Sequence, residues 1–404
     1  MKNKAFKLVI IFGIISLLGD LIYEGARGVS GPYLKILGAR AFYVGLVVGL
    51  GEFLGYVIRL VSGYFVDKTK SYWPFVFVGY GFLAAVPLLA QANVWQIAAI
   101  FFIFERIGKA IRSPAKDTII SFASKRIGTG LGFGMHEFID QIGAVIGPLL
   151  FAYFLSLSPT QSVGKYQHIF SYLWIPFLIM AGVVLLARSL VRNPEELEEN
   201  PVETYDFRNK QKSLTGYVRG YLVFIFLTTF GFINFALIGY HIKETALLAE
   251  WQIPFLYAAA MAADGVAAIF VGKLYDRFKN LFGWQKASYK IFILTAVFSA
   301  FLPFMAFSRS VYLVFAGAMI FGLIMCVHET IVRAVLADVI SKQKRGRAYG
   351  VFNVTYGLAM LMGGAFLGWL YDLSVAYSIF AVVLAQLAAV IILFLISDRS
   401  SSPL

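Results

Sequence analysis

The chain has 404 residues, of which 59% are hydrophobic and 14% charged, and its mean hydropathy is +0.76. Soluble globular chains carry about 25% charged residues, so this composition excludes a soluble globular protein and indicates a membrane protein. The net charge of +13 would suit a nucleic-acid partner only if the basic residues formed one solvated face. The single cysteine, Cys326, excludes an intrachain disulfide framework.

Apolar runs of membrane-spanning length predict twelve transmembrane helices, since one crossing needs about 20 apolar residues. In chain order they are residues 8–33, 42–66, 73–92, 95–116, 130–155, 168–190, 217–240, 253–275, 287–307, 311–338, 348–371 and 375–396. We interpret the first run as an uncleaved helix, because no small-residue cleavage site follows it. The predicted fold class is an all-α, polytopic membrane protein.

The basic residues are distributed unequally between the two ends of the predicted helices. If both termini are cytoplasmic, 23 Lys and Arg residues lie on the cytoplasmic side and five on the opposite side. The positive-inside rule therefore predicts this orientation in the cell inner membrane. It also explains the charge of +13 by contact with the lipid bilayer, and we expect no nucleic-acid partner.

The two halves of the chain repeat the same pattern. The matching positions are Gly63, Asp67 and Lys68 with Gly272, Asp276 and Arg277; Arg112 and Asp117 with Arg333 and Asp338; and Gly134 and Gly147 with Gly350 and Gly363. A polar stretch at 192–216 separates them. We therefore predict two pseudo-symmetric six-helix bundles, 1–191 and 217–404, joined by a cytoplasmic linker. Duplicated halves are typical of alternating-access transporters, which bind substrate near the middle of the membrane.

The Gly-x-x-x-Asp-basic-x-Lys loop in each half resembles the signature loop of the major facilitator superfamily. Gly143-x-x-x-Gly147-Pro148 resembles part of the fifth-helix motif of antiporters in that superfamily, although Leu149 and Leu150 replace its closing Gly-Gly. The resemblance implies that Asp67 and Asp276 lock an inner gate against helix N-termini and basic residues. The basic partners it implies are Arg112, Lys116, Arg333 and the segment 345–347.

Ionisable residues inside the predicted helices are concentrated in the first half. Such a residue near the bilayer centre costs at least about 2.5 kcal/mol, so each should be paired, face water or act in transport. Counting about 1.5 Å per residue along each helix, we expect four carboxylates and one arginine to converge at one depth. The candidates for proton coupling and substrate binding are Asp20, Glu24, Arg27, Glu105, Arg106, Glu137 and Asp140.

A carboxylate that exchanges its arginine partner during transport can bind and release a proton. A low-dielectric site favours the protonated form, whereas a nearby arginine favours the ionised form. We predict Asp20, Glu137 and Asp140 as the protonation sites and Arg27 and Arg106 as their exchangeable partners. Permanent salt bridges that lock the first bundle are the alternative interpretation.

These features predict a secondary active transporter, not an enzyme, that moves a small-molecule substrate by alternating access. We favour proton-coupled export of a small organic or amphipathic solute by antiport; the alternative is a proton-coupled symporter that imports an anionic or metal-chelating metabolite. No metal-ligand spacing and no Walker sequence is present, so we expect no cofactor and the proton gradient as the energy source. A receptor or scaffold has no need of buried charges and is disfavoured. We expect a monomer.

Overall fold

The computed structural model describes residues 2–127, 129–157, 162–197, 214–331, 335 and 345–401, and within these ranges it contains helices and no strand. We number the spans α1 (Lys2–Ile36), α2 (Ala41–Thr69), α3 (Tyr72–Gln91), α4 (Trp95–Ile127), α5 (Thr129–Ser156), α6 (Val163–Leu190), α7 (Leu214–Phe230 and Phe235–Thr245), α8 (Gln252–Phe282), α9 (Trp284–Ala306), α10 (Val311–Cys326, continued by a π-turn at Val327–Ile331), α11 (Arg345–Leu373) and α12 (Val375–Ser401). The α3 span contains short 3₁₀ turns, and a 3₁₀ turn at Pro194–Leu197 follows α6.

The helical spans follow the predicted order, which confirms a polytopic all-α membrane protein. In the part of the chain that the structure describes, eleven helices are long and apolar enough to cross a membrane. The remaining predicted span, α4, is 33 residues long, or about 50 Å. It is long enough to cross, but its charged side chains interrupt the apolar run. They are Glu105, Arg106, Lys109, Arg112 and Lys116.

The chain divides into two compact units. Unit 1 contains Met1–Gly38, Leu54–Phe207 and Glu250–Ala258, and unit 2 contains Ala39–Phe53, Arg208–Ala249 and Ala259–Leu404. The start of α2 therefore belongs to unit 2, and the first two turns of α8 belong to unit 1. The division of the sequence into halves at 192–216 stays a prediction, and most of that linker lies outside the described residues.

In unit 1, α1 and α5 pack closely because glycines of α5 lie directly against the backbone of α1. A Cβ atom at Gly143 would overlap the carbonyl oxygen of Leu17, and one at Gly147 would lie 2.9 Å from the amide nitrogen of Gly25. Spacing of small residues by four allows helix backbones to approach in this way. The Gly143-x-x-x-Gly147 motif therefore has a mechanical role, and the neighbouring Pro148 is buried within α5.

Unit 2 repeats this packing between α7 and α11. A Cβ atom at Gly363 would overlap the carbonyl oxygen of Phe230, as one at Gly147 would overlap that of Leu21. The first turn of α2 is also held by α11: the carboxylate of Asp372 accepts hydrogen bonds from the backbone amides of Ala41, at 3.0 Å, and Phe42, at 2.9 Å. An anion at a helix N-terminus is favoured by the helix dipole, so this contact stabilises the start of α2.

Candidate functional site

The packing of α1 on α5 sets the relative depth of the acidic residues on these two helices. The facing pairs are Gly13 with Ile139, Leu17 with Gly143, and Leu21 with Gly147. Each α1 residue is therefore level with the residue 126 positions later on α5. Asp140 is level with Ile14, which lies about 9 Å along the helix from Asp20. The acids are staggered along the seam between the helices, and the predicted convergence at one depth is not found.

Two lysines of α4 lie between these acids. Lys109 donates a hydrogen bond to the hydroxyl of Tyr23, and Lys116 donates one to Ser16, so α4 runs antiparallel to α1. The charge of Lys116 acts on both Asp140 and Asp20. The charge of Lys109 acts on both Asp20 and Glu24. We call the series Asp140, Lys116, Asp20, Lys109 and Glu24, in which acids and bases alternate, the charge ladder.

A hydrogen-bonded layer crosses the helices at the Ser16 level. The ammonium of Lys116 lies 3.3 Å from Ser16 Oγ, and this hydroxyl lies 2.9 Å from Nε2 of His136. His136 is 4% exposed. The layer ties α4, α1 and α5 together, and it gives His136 a structural partner.

Glu24 forms the other end of the charge ladder. It is 5% exposed, its Oε1 lies 3.4 Å from Nη1 of Arg27, and its Oε2 accepts a hydrogen bond from the hydroxyl of Tyr257 at the start of α8. Tyr257 was not singled out from the sequence, because one of 22 tyrosines carries no signal of its own. It brings a residue of the second sequence half into unit 1.

Each of the two candidate arginines lies beside an acid of its own helix. Nε of Arg106 lies 3.4 Å from Oε2 of Glu105, the adjacent residue, and its guanidinium lies 5.6 Å from the ring centroid of Tyr23. Oε1 of Glu105 is buried and has no hydrogen-bond partner within the described ranges. Arg27 is paired with Glu24. Lys109 and Lys116 are bases whose charges act on Asp20. The exchange of partners with Arg27 and Arg106 stays a prediction.

The two acids of α5 have different environments. Asp140 acts electrostatically on Asp20, and its Oδ1 is buried without a hydrogen-bond partner among the residues described. Glu137 lies on an exposed face of α5 beside Phe138, which is 71% exposed. The structure therefore places Asp140 in the charge ladder and Glu137 outside it.

The predicted gate residues of the first half are not joined in this structure. Asp67 is exposed and forms no hydrogen bond or ion pair with any residue described, while Lys68 lies 5.8 Å from the ring centroid of Tyr64. Arg112 is 4% exposed and lies over the ring of Tyr80, 4.7 Å from its centroid. Asp67 and Arg112 therefore do not contact each other in this structure, and the gate that the resemblance implies stays a prediction.

The remaining gate residues are described only in part. The carboxylate of Asp117 is 60% exposed and lies 4.0 Å from the ammonium of Lys116. Gly63 approaches Pro114 of α4: a Cβ atom there would lie 3.8 Å from the proline ring. In the second half Arg277 is exposed. The side chain of Asp276, and the whole of Arg333 and Asp338, lie outside the described residues.

Unit 2 contains a break in α7 between Phe230 and Phe235. The amide of Phe232 bonds the carbonyl of Thr229 at 3.1 Å, so the carbonyl of Thr228 loses its helical partner. The side-chain amide of Gln386 on α12 donates to that carbonyl at 3.0 Å and accepts from the Thr228 hydroxyl at 3.0 Å. Irregular backbone at membrane depth must be satisfied within the protein, and Gln386 does this here.

The π-turn of α10 faces the same region. It contains His328, which is 3% exposed, contacts the ring of Phe232 at 5.5 Å and places Nδ1 3.2 Å from the hydroxyl of Tyr356. π-Turns are rare and often occur at functional sites. Within the described ranges, Nε2 of His328 has no hydrogen-bond partner, and no group of three or more His, Cys, Asp or Glu residues is placed to hold a metal ion.

The chain matches the family model of the Major Facilitator Superfamily over residues 9–285 and 221–404. The chain is a member of the Major Facilitator Superfamily. It is therefore a multi-pass membrane transporter, not an enzyme, and it acts on a small-molecule substrate. The resemblance seen in the loop motifs is confirmed.

Relatives and solved structures cover nearly the whole chain. An uncharacterized protein of Mycobacterium tuberculosis is 35% identical over 394 residues, 97% of this chain and 93% of that protein. An uncharacterized MFS-type transporter of Methanocaldococcus jannaschii is 24% identical over 96% of this chain and 95% of its own length. The crystal structure of a mutant of the nucleoside transporter NupG superposes with a TM-score of 0.72 at 13% identity, covering 97% of this chain and 99% of that one. This likeness concerns the fold alone.

Proposed function

We propose that this transporter couples the export of a small organic or amphipathic solute to proton entry by antiport. The observation that carries the proposal is the charge ladder, in which Lys116 and Lys109 each act on two acids. One lysine can neutralise only one of its two acids at a time. The other acid favours a proton or the positive charge of a substrate, because an isolated ionised carboxylate is costly in a low-dielectric site.

Alternating access supplies the change of partner that proton coupling needs. The hydroxyl of Tyr257 is contributed by α8, whereas Glu24 lies on α1. Movement of the two sequence halves during transport would withdraw Tyr257, and Glu24 would then depend more on Lys109. Lys109 would then interact less with Asp20, whose charge would be neutralised by Lys116 or by a bound proton. A conformational change at Glu24 is thereby passed along the charge ladder to Asp20 and Asp140.

The proposed substrate is cationic or amphipathic, because Asp20 and Asp140 are the ladder acids without a hydrogen-bonded tyrosine. Export is supported by the fifth-helix motif, which resembles that of antiporters. The competing proposal, import of an anion by symport, draws on Arg112, whose Nη1 has no partner within the described ranges. We favour the cation, because Arg112 is buried against Tyr80.

We further propose that the protein works as a monomer in the cell inner membrane, with both termini cytoplasmic. We also propose that transport needs no cofactor, because the proton gradient supplies the energy. The distribution of basic residues supports this orientation.

Purified protein in liposomes with an entrapped pH dye tests the proposal. With an acidic lumen, adding tetraphenylphosphonium or ethidium outside should release protons from the lumen, and Asp20→Asn or Asp140→Asn should abolish this release. Glu196→Gln, an exposed acid outside the charge ladder, is the control and should behave as wild type. Proton coupling is contradicted if Asp20→Asn with Asp140→Asn leaves transport equally driven by pH. Co-transport of citrate with protons in the same direction would establish symport instead.

A further inference from the structure

A groove lies at one end of unit 1, where the start of α3 meets the end of α6. Its volume is about 610 Å³. Three of the side chains that line it are cationic, Lys70, Arg188 and Arg192, and one is anionic, Glu195. None of them belongs to the charge ladder. Lys70 closes the Gly-x-x-x-Asp-basic-x-Lys loop of the first half, and the other three lie outside the predicted gate.

The walls of the groove are held in place by hydrogen bonds. Nε1 of Trp73 donates to the carbonyl oxygen of Arg192 at 3.0 Å, and the hydroxyl of Tyr72 donates to Oε1 of Glu195 at 2.8 Å. Trp73 and Tyr72 are buried. The acid is thus bound by a tyrosine, while the guanidinium of Arg188 lies over the ring of Phe77 at 5.4 Å. The groove therefore keeps a net positive charge on a fixed frame.

An apolar stripe on α6 leads into this groove. Leu178 is 63% exposed and Leu185 59% exposed, and Leu185 itself lines the groove one turn before Arg188. These positions recur every seven residues and so share one face of the helix. Exposed leucines on a membrane helix contact acyl chains. A lipid that lies along this stripe would place its headgroup beside Arg188 and Arg192.

We propose that this groove binds the phosphate of an anionic phospholipid of the surrounding bilayer. The positive-inside pattern predicts that the groove faces the cytoplasmic leaflet, which carries the anionic lipids. Basic pockets between helices on that side recognise anionic headgroups. The guanidinium groups of Arg188 and Arg192 match a phosphate in charge and in hydrogen-bond geometry. Pro74 and Leu185 contact the adjoining glycerol and acyl segments.

Native mass spectrometry of the purified full-length protein with phosphatidylglycerol or phosphatidylcholine of identical chains tests this proposal. Wild type should retain phosphatidylglycerol preferentially. The double variant Arg188→Gln with Arg192→Gln should bind it about 30-fold more weakly, since each basic residue near an anionic headgroup contributes about fivefold. The matched control is Lys4→Gln with Lys7→Gln, which removes two exposed charges of α1 on the same predicted side, outside the groove.

The outcomes distinguish the sources of the phosphate. Equal loss of lipid in both double variants would overturn the proposal, because the attraction would then be a general effect of charge. Displacement of the lipid by millimolar inorganic phosphate, with a thermal shift that Arg188→Gln abolishes, would instead identify a site for a soluble anion. A third variant, Leu185→Gln, should weaken phosphatidylglycerol binding. In this variant, as in wild type, inorganic phosphate should neither displace the lipid nor shift the melting temperature. This result would confirm that the acyl stripe belongs to the site.

Discussion

The hydroxyl of Tyr257 donates a hydrogen bond to Glu24, and it does so from α8 to α1, across most of the length of the sequence. Oε1 of Glu24 also lies 3.4 Å from Nη1 of Arg27, and the carboxylate interacts electrostatically with Lys109. A single hydroxyl is therefore in contact with the end of the charge ladder. This arrangement links a helix of the second sequence half to the acids of the first.

Tyr257→Phe should reduce solute-driven proton movement while leaving the protein folded. The change removes one hydrogen bond to a charged group, which is worth about 1.5–3 kcal/mol, and keeps the ring. Transport in liposomes and the melting temperature measure the two effects. Tyr153→Phe, at a position that is 59% exposed on α5, is the control. Unchanged transport in Tyr257→Phe would show that Glu24 does not sense α8.

Lys116→Met should destabilise unit 1 by about 1–3 kcal/mol. The substitution removes the hydrogen bond from the Lys116 ammonium to Ser16 and leaves Asp20 and Asp140 without the base that they share. Lys116→Arg keeps the positive charge and should therefore lose less. Melting temperatures, with Lys7→Met as an exposed control, measure the difference. A loss as large in Lys116→Arg as in Lys116→Met would contradict the role of the charge.

Gly147→Ala should destabilise unit 1 by about 1–3 kcal/mol, because the new Cβ would overlap the carbonyl oxygen of Leu21. Gly182→Ala on α6 is the matched control, since nothing lies within 4 Å of a Cβ atom at that position. The control should be neutral or slightly stabilising, as expected for alanine in a helix. Thermal unfolding in detergent compares them. Equal melting temperatures for Gly147→Ala and Gly182→Ala would show that α1 and α5 can move apart without loss of stability.

Gln386→Leu should destabilise unit 2 by about 1–3 kcal/mol, because it leaves the buried carbonyl of Thr228 without a donor. Thr228→Val removes only the hydroxyl of this pair and retains the bond from Gln386 to the carbonyl. It should therefore cost less. Thermal unfolding ranks the variants, and a larger loss in Thr228→Val would contradict the role of Gln386 at the break in α7.

The number and order of the spans could be predicted from the sequence, because hydropathy and helix length are local properties. The same holds for the repeat and for the concentration of buried charge in the first half. The break in α7 at Gly231 and the π-turn at His328 were not predicted. The break does have a local signal in Gly231 and in Asn234, whose side chain caps the helix that follows. The π-turn contains the polar residues His328 and Glu329, but these residue types do not distinguish a π-turn from an α-helix.

The pairing of the charges depends on tertiary packing. The register of α1 against α5 follows from glycines that meet backbone, and it separates Asp140 from Asp20 by about 9 Å along the seam. Helix rotation leaves Glu137 exposed and turns Arg112 toward Tyr80. The sequence thus shows that acids and bases lie within the predicted spans. Which acid meets which base depends on helix register and rotation, since a shift of one residue turns a side chain by about 100°.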